Sequence, residues 1–196
     1  HLLGTDKTGR DLLSRLIIGS RTTILCAFGV VFISAVIGIP FGMLAGYYGK
    51  TIDLVLMRVS DVILAFPSLL LAFIFVSAFG RGAFNSVLAL GIVYVPMLAK
   101  LTRSMVLVEK NKIYVEAAHS IGYSDMTIMV RQILPNCIET LIVQMTLDIG
   151  YAILDLAGMS FLGLGSSRLR QTGELCWKTG ELSLPRRLWY PSLPES

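Results

Sequence analysis

The 196-residue chain is too apolar for an ordinary soluble protein. Only 15% of its residues are charged and 54% are hydrophobic, whereas an ordinary soluble domain has about 25% charged residues. A chain of this size has too little polar surface to cover a soluble globule, which argues against a cytosolic enzyme. The net charge of +4 is scattered between apolar runs and forms no basic stripe with interleaved aromatics, which argues against nucleic-acid binding.

Four apolar stretches are long enough to cross a bilayer, since a spanning helix needs about 20 mostly apolar residues. We place the spans at about residues 22–48, 62–80, 82–106 and 138–164. They predict an all-α integral membrane protein, preceded by a lead-in at residues 1–21. One proline in each of the first three spans predicts bent helices, either around a pathway or for packing alone; these are Pro40, Pro67 and Pro96.

Glycines recur every fourth residue in the first span, at Gly38, Gly42 and Gly46. Residues four apart share one helix face, and small residues on such a face let another helix approach closely. The spacing therefore predicts a tight helix–helix contact along this face.

The distribution of basic residues predicts the orientation of the chain. The stretch from Lys100 to Glu139, at the end of the third span and in the loop after it, carries five of them, whereas the preceding loop carries Arg81 alone; the five are Lys100, Arg103, Lys110, Lys112 and Arg131. Because cytoplasmic loops are enriched in Lys and Arg, residues 107–137 are predicted to be cytoplasmic. Counting crossings backward makes residues 1–21 extracytoplasmic, although this segment also contains basic residues.

The fourth span contains two acidic residues, Asp148 and Asp155, seven positions apart. Seven residues are close to two helical turns, so both carboxylates fall on one face, which Met145 and Met159 extend in each direction. Carboxylates at membrane depth normally face a bundle interior or a water-filled path. This face is a candidate translocation path. Alternatively, one Asp lies near the interface, or the two pair with basic residues of another helix.

No cofactor site or enzyme centre is evident in the sequence. The three cysteines, Cys26, Cys137 and Cys176, lack the spacing of a disulfide framework or zinc site. No Ser/His/Asp or Cys/His arrangement is visible, and His119 reads as a residue of a surface helix. The sequence also lacks a GxxxxGK[ST] phosphate loop, so this chain is not predicted to hydrolyse nucleotides.

The cytoplasmic segment contains the most specific motif. Glu116, Ala117 and Ala118 are followed by Gly122, and Leu134 and Pro135 stand at the start of the next span. The pattern predicts a short amphipathic helix ended by glycine, then a second helix leading into the membrane. Such a projection either docks into a groove of a cytosolic partner or is an ordinary surface loop.

These residues resemble the "EAA" loop of bacterial ABC importer permeases, with a departure at Gln132, where the family pattern has isoleucine. Further motifs resemble the dipeptide, oligopeptide and nickel branch of that family. They are Leu3-Gly4-Thr5-Asp6, Gly9-Arg10-Asp11, Ser14-Arg15-Leu16, Ala65-Phe66-Pro67-Ser68 and Ser160-Phe161-Leu162-Gly163-Leu164-Gly165. The resemblance implies the transmembrane domain of a type I ABC importer at residues 22–167, with about four of the family's six spans.

The resemblance also implies partners and roles. The chain would pair with a homologous permease in the bacterial inner membrane, receive substrate from an extracytoplasmic binding protein, and be driven by two cytosolic ATP-binding subunits. Glu116, Ala117, Ala118, Gly122, Leu134 and Pro135 would then form the element that couples to the ATPase.

The predicted substrate is nickel or a metal chelate, with di- or oligopeptides as the alternative. Thr146-Leu147-Asp148-Ile149-Gly150 and Ala157-Gly158-Met159-Ser160-Phe161 look more like the nickel-transporting members. Carboxylate oxygens and methionine sulfur are also plausible transient ligands for a divalent metal. A different class of protein is an ATP-independent channel or secondary carrier that uses the Asp148 and Asp155 face, although we find no internal repeat of the kind common in carriers.

Residues 168–196 differ in character, with both tryptophans and no run long enough to span. Permissible codons for residues 167–181, read one base earlier, encode APTADWGAMLEDGR, which resembles the family's usual continuation. We therefore predict that the tail is frameshifted. The alternative is a variant tail at the outer surface. A further hypothesis is that the chain is a non-functional truncated permease. An intact reading frame with unrelated flanking codons would contradict the frameshift.

Overall fold

The computed structural model describes residues 12–80 and 82–162. Within these ranges the chain is helical and contains no strand. The helices are α1 (Leu12–Tyr48), α2 (Lys50–Leu64), α3 (Ser68–Phe79), α4 (Ala83–Glu109), α5 (Ile113–Ile121), α6 (Asp125–Ile128) and α7 (Leu134–Phe161), with a π-helical turn at Met129–Ile133 between the last two. The predicted tail at 168–196 and the first part of the lead-in lie outside the described residues.

Three helical segments are long and apolar enough to cross a membrane: Gly19–Tyr48, Ala83–Glu109 and Asp125–Phe161. The first helix begins at Leu12, ten residues before the predicted start, so part of the predicted lead-in is helical. Within this part of the helix, the hydroxyl of Ser20 donates to the Ile17 carbonyl oxygen at 3.0 Å.

The span predicted at 62–80, with a bend at Pro67, is sharply broken in the structure. The structure divides this part of the chain between α2 and α3, which meet at an angle of 90° and together form up to one further span. The break contains Pro67, which immediately precedes α3 with an extended backbone (φ −57°, ψ 132°). Proline disfavours the helical conformation of the residue before it, so the helix ends ahead of Pro67.

The long helices form one bundle with two hydrophobic clusters. The first cluster contains Val30 of α1, Leu90 of α4 and Leu156 of α7. The second contains Met43 of α1, Val106 of α4 and Leu141 of α7. The first cluster thus joins earlier residues of α1 and α4 to the end of α7. The second joins later residues of α1 and α4 to the beginning of α7. Helices α1 and α4 are therefore parallel, and α7 is antiparallel to both.

The glycine face of the first helix contacts α4, which confirms the close approach predicted from the spacing. A Cβ added at Gly42 would lie only 2.5 Å from the Ala99 carbonyl oxygen and 2.5 Å from the Thr102 Cβ. The α4 backbone thus occupies the space that a side chain at Gly42 would need.

We expect Gly42→Ala to destabilise the bundle. The added methyl group overpacks a backbone contact, and overpacking typically costs about 1–3 kcal/mol. The matched control is Gly150→Ala in α7, where an added Cβ meets nothing within 4 Å and alanine gains about 1 kcal/mol of helix propensity. Thermal unfolding of the purified protein should show a lower midpoint for Gly42→Ala only. Equal midpoints for the two variants would contradict the close contact.

Candidate functional site

Helix α5 stands at the end of the bundle where α1 and α4 finish and α7 begins. It starts after Lys112, which has an extended backbone, and ends at Gly122, which has a left-handed one (φ 92°, ψ 20°). The Gly122 amide donates to the His119 carbonyl oxygen at 3.0 Å, and the Tyr123 amide donates to that of Ala118 at 3.2 Å. Glycine is favoured here because its left-handed backbone satisfies the last carbonyls of the helix without a Cβ clash.

The three consecutive motif residues of α5 face different surroundings. Ala118 is buried together with Val115, and both pack into the second hydrophobic cluster beside Ile128 and Ile133. Glu116 and Ala117 are exposed. Ala118 therefore anchors the helix, while Glu116 and Ala117 are available to a partner.

An apolar ridge runs along the exposed side of α5. It consists of Ile113, Ala117 and Ile121, which are four residues apart and so lie on one face. Ile113 is 85% exposed and Ile121 is 76% exposed. We call these three residues the α5 ridge. Its anchored inner face and apolar outer face are the features expected of a rigid docking element.

The second part of the predicted coupling motif also contains one half-buried and one exposed residue. Leu134 is half-buried against the second hydrophobic cluster, whereas Pro135 is exposed in the first turn of α7. At Gln132, where the sequence departs from the family pattern, the side-chain oxygen is buried without a hydrogen-bond partner among the described residues. An apolar side chain at this position would carry no such desolvation penalty.

A polar clamp joins the end of α1 to α5 and α6. The Tyr47 hydroxyl donates to an Asp125 carboxylate oxygen at 2.9 Å and lies 2.9 Å from the His119 Nε2, while the Tyr47 and His119 rings stack. The Lys110 ammonium donates to the carbonyl oxygens of Gly46 and Tyr47 at 3.3 Å. His119 is therefore part of an inter-helix contact, which sequence reasoning missed because Tyr47 is distant in the chain.

A second polar group fixes the corner between α4 and α5. Glu109 accepts hydrogen bonds from the Lys112 ammonium at 2.6 Å and from the Tyr114 hydroxyl at 2.7 Å. The Asn136 amide of α7 donates to the same hydroxyl at 3.1 Å. Burial, followed by the bond to Glu109, raises the pKa of Tyr114 above its ordinary value, so the hydroxyl keeps its proton. The corner is therefore tied to both α4 and α7.

The structure places both predicted path carboxylates toward the interior of the bundle. Asp148 is only 2% exposed. One of its oxygens accepts from the Gln144 amide at 2.8 Å, and the other is buried with no hydrogen-bond partner among the described residues. Asp155 is half-buried and accepts from the Tyr94 hydroxyl of α4 at 2.8 Å.

The two methionines of this face lie in different clusters. Met159 is buried in the first cluster, and Met145 packs at the edge of the second. Among residues 12–80 and 82–162, no group of three or more His, Cys, Asp or Glu side chains is arranged to hold a metal ion. The polar groups that α7 and α4 place at this face are the Asp148 and Asp155 carboxylates and the Tyr94 hydroxyl.

Comparison with known proteins identifies the protein family to which the chain belongs. Residues 38–173 match the family described as binding-protein-dependent transport system inner membrane components. The dipeptide transport system permease protein DppC of Haemophilus influenzae is 42% identical over 166 residues, covering 85% of this chain and 56% of that protein. The di/tripeptide transport system permease protein DppC of Pseudomonas aeruginosa is 42% identical over 193 residues, covering 98% of this chain and 64% of that protein.

A third relative is the glutathione transport system permease protein GsiD of Pectobacterium atrosepticum, 41% identical over 166 residues, covering 85% of this chain and 55% of that protein. The chain thus spans between 55% and 64% of the lengths of these relatives. Their names do not include nickel, so the predicted resemblance to the nickel-type members is not confirmed.

The fold is also found in a solved structure. A chain of the MetNI methionine ABC transporter in an inward-facing conformation superimposes with a TM-score of 0.67 at 16% identity, covering 87% of this chain and 95% of that one. The predicted all-α type I importer fold is therefore confirmed. Together these findings place the chain in the family of binding-protein-dependent transport system inner membrane components, as a multi-pass protein of the bacterial inner membrane.

Proposed function

We propose that the chain is a permease subunit of an ABC importer that moves small peptides across the inner membrane, with ATP hydrolysed by separate cytosolic subunits. The observation that carries this proposal is the α5 ridge, an exposed apolar surface on a helix whose opposite face is anchored in the bundle. An apolar ridge on a rigid element fits the helix-in-groove mode of recognition.

The contacts behind α5 suggest how movement reaches the membrane helices. Val115 and Ala118 couple α5 to the second hydrophobic cluster, and Tyr47 couples its last turn to α1. Displacement of α5 would therefore shift α1, α4 and α7 together. Nucleotide-driven movement of the partner would change the populations of inward- and outward-facing states, which is alternating access.

The names of the relatives favour peptides as the substrate class. The permeases to which this chain is similar are named for dipeptides, di/tripeptides and glutathione. The unpaired oxygen of Asp148 is suited to a cationic group such as a peptide ammonium, because a buried carboxylate gains most from a charged donor. We accordingly propose Asp148, Asp155 and their neighbouring Met145 and Met159 as part of the path.

The importer would include partners besides this chain. We propose a second homologous permease subunit beside it, two ATP-binding subunits on α5 and its counterpart, and an extracytoplasmic binding protein that delivers the peptide. Family membership supports the ATPases and the binding protein. The 30-residue apolar segment Gly19–Tyr48 is largely unburied within this chain, which leaves area for a second permease and lipid.

Reconstitution tests the proposed function. The chain is co-expressed with the permease, ATPase and binding-protein genes that we expect beside its own gene, and the complex is placed in proteoliposomes. We expect uptake of a labelled dipeptide that requires both ATP and the binding protein, and no uptake of nickel-63. ATP-independent flux through the chain alone would favour a channel or carrier, and uptake of nickel in place of peptide would overturn the proposed substrate.

A further inference from the structure

Helix α2 lies across α4 near the end that carries α5. Arg103 of α4 forms a bidentate ion pair with Asp53 through its Nε and Nη2 atoms, and Lys100 pairs with Asp61 at 2.5 Å. The two acidic residues are eight positions apart, which is about 12 Å along α2, whereas their partners are three positions apart, which is about 4.5 Å along α4. The two ion pairs hold α2 against α4.

A groove of about 590 Å³ lies between the two helices. Its charged lining comprises four basic and two acidic residues: Lys50, Arg58, Lys100, Arg103, Asp53 and Asp61. Both acidic residues are paired with α4. Lys50 and Arg58 are exposed and form no salt bridge with any residue in the described ranges, so the groove has an unmatched positive charge.

The outer face of α2 is apolar. Ile52, Val55, Val59 and Val62 are between 45% and 64% exposed. Arg58 lies at the border of this face. Val55 is three residues before it and Val62 is four residues after it, so both are its neighbours on the helix surface. One edge of α2 thus places an exposed guanidinium directly beside exposed aliphatic side chains.

We propose that this groove binds the phosphate of an anionic phospholipid of the cytoplasmic leaflet, with an acyl chain along Val55 and Val62. Arg58 and Lys50 would hold the phosphate, and a guanidinium donates two parallel hydrogen bonds to such a group. Basic pockets between membrane helices on the cytoplasmic side are suited to anionic headgroups. A soluble anion would use the two charges but would leave the aliphatic face uncovered.

The proposal is tested with the full chain, alone and in its complex, in nanodiscs of phosphatidylethanolamine and phosphatidylglycerol at 3:1. After extraction, native mass spectrometry counts the phosphatidylglycerol retained. We expect Lys50→Gln combined with Arg58→Gln to reduce retention at least fivefold, and Arg58→Lys to keep most of it. The control is Arg131→Gln, which removes an exposed basic residue of the α5–α7 segment and should change nothing.

Several outcomes would overturn the proposal. Equal retention by the double variant and the wild type would show that the two charges hold no lipid. An equal loss in Arg131→Gln would mean that total charge, and not this groove, attracts the lipid. Displacement of phosphatidylglycerol by millimolar inorganic phosphate would indicate a site for a free anion. Crosslinking of a Val59→Cys variant to the second permease would show that a protein covers this face.

Discussion

Replacing Ala117 with arginine is expected to release the ATPase subunits from the membrane complex while leaving the helical bundle folded. Ala117 is exposed at the centre of the α5 ridge, so the isolated chain can accommodate a long side chain there. In a closed interface the guanidinium would be buried without a partner, which costs about 3 kcal/mol or more. That energy corresponds to roughly a hundredfold weaker association.

Co-purification of the ATPase subunits with the tagged permease measures this effect, and thermal unfolding of the permease alone reports its fold. The matched control is Ala117→Ser, which keeps a small side chain and should retain the ATPase. Ala118→Arg should behave differently, because Ala118 is 3% exposed and its replacement should destabilise the chain itself. Normal retention of the ATPase subunits by the Ala117→Arg variant would show that the α5 ridge is not part of the interface.

Asp148→Asn is expected to reduce peptide uptake by about tenfold or more, which corresponds to about 1.4 kcal/mol of lost stabilisation along the transport path, while the ATPase subunits remain bound. Asparagine has nearly the same shape and can still accept from the Gln144 amide, so only the charge is removed. A buried carboxylate oxygen without a partner destabilises the folded chain. We therefore expect the thermal unfolding midpoint to stay unchanged or to rise as uptake falls.

The combination of unchanged or higher stability with lower uptake distinguishes a path residue from a structural one. Thr146→Val is the matched control, because Thr146 lies two residues away on the exposed side of α7 and donates only to its own helix, at the Ile142 carbonyl oxygen. Uptake should be normal in this control. Normal uptake by Asp148→Asn would exclude Asp148 from the translocation path, and a large loss of stability would assign it a structural role.

Local pattern accounts for the parts of the site that could be predicted. A short helix ended by Gly122 follows from the amphipathic run and from the left-handed backbone that glycine adopts most easily. The inward placement of Asp148 and Asp155 follows from helical periodicity and from the cost of exposing carboxylates to lipid. These inferences need only residues close together in sequence.

Length and periodicity alone did not predict the broken second span or the division of the coupling motif. Pro67 predicted a bend in the second span. The size of the bend, 90° between α2 and α3, accompanies ion pairs that hold α2 to Lys100 and Arg103 of α4, and these partners are distant in the sequence. Similarly, Ala117 and Ala118 are identical in chemistry. Which of them is buried depends on how α5 is seated against the second hydrophobic cluster.

The amino-acid sequence by itself determined that this is an all-α membrane protein, because apolar runs of bilayer length have no other stable form. It also determined which glycines permit close helix contact. Only the tertiary structure decided that α1 and α4 are parallel and that Tyr47 reaches His119 and Asp125 across more than 70 positions of the chain. Such contacts depend on the packing of whole helices against one another, which no local pattern of residues specifies.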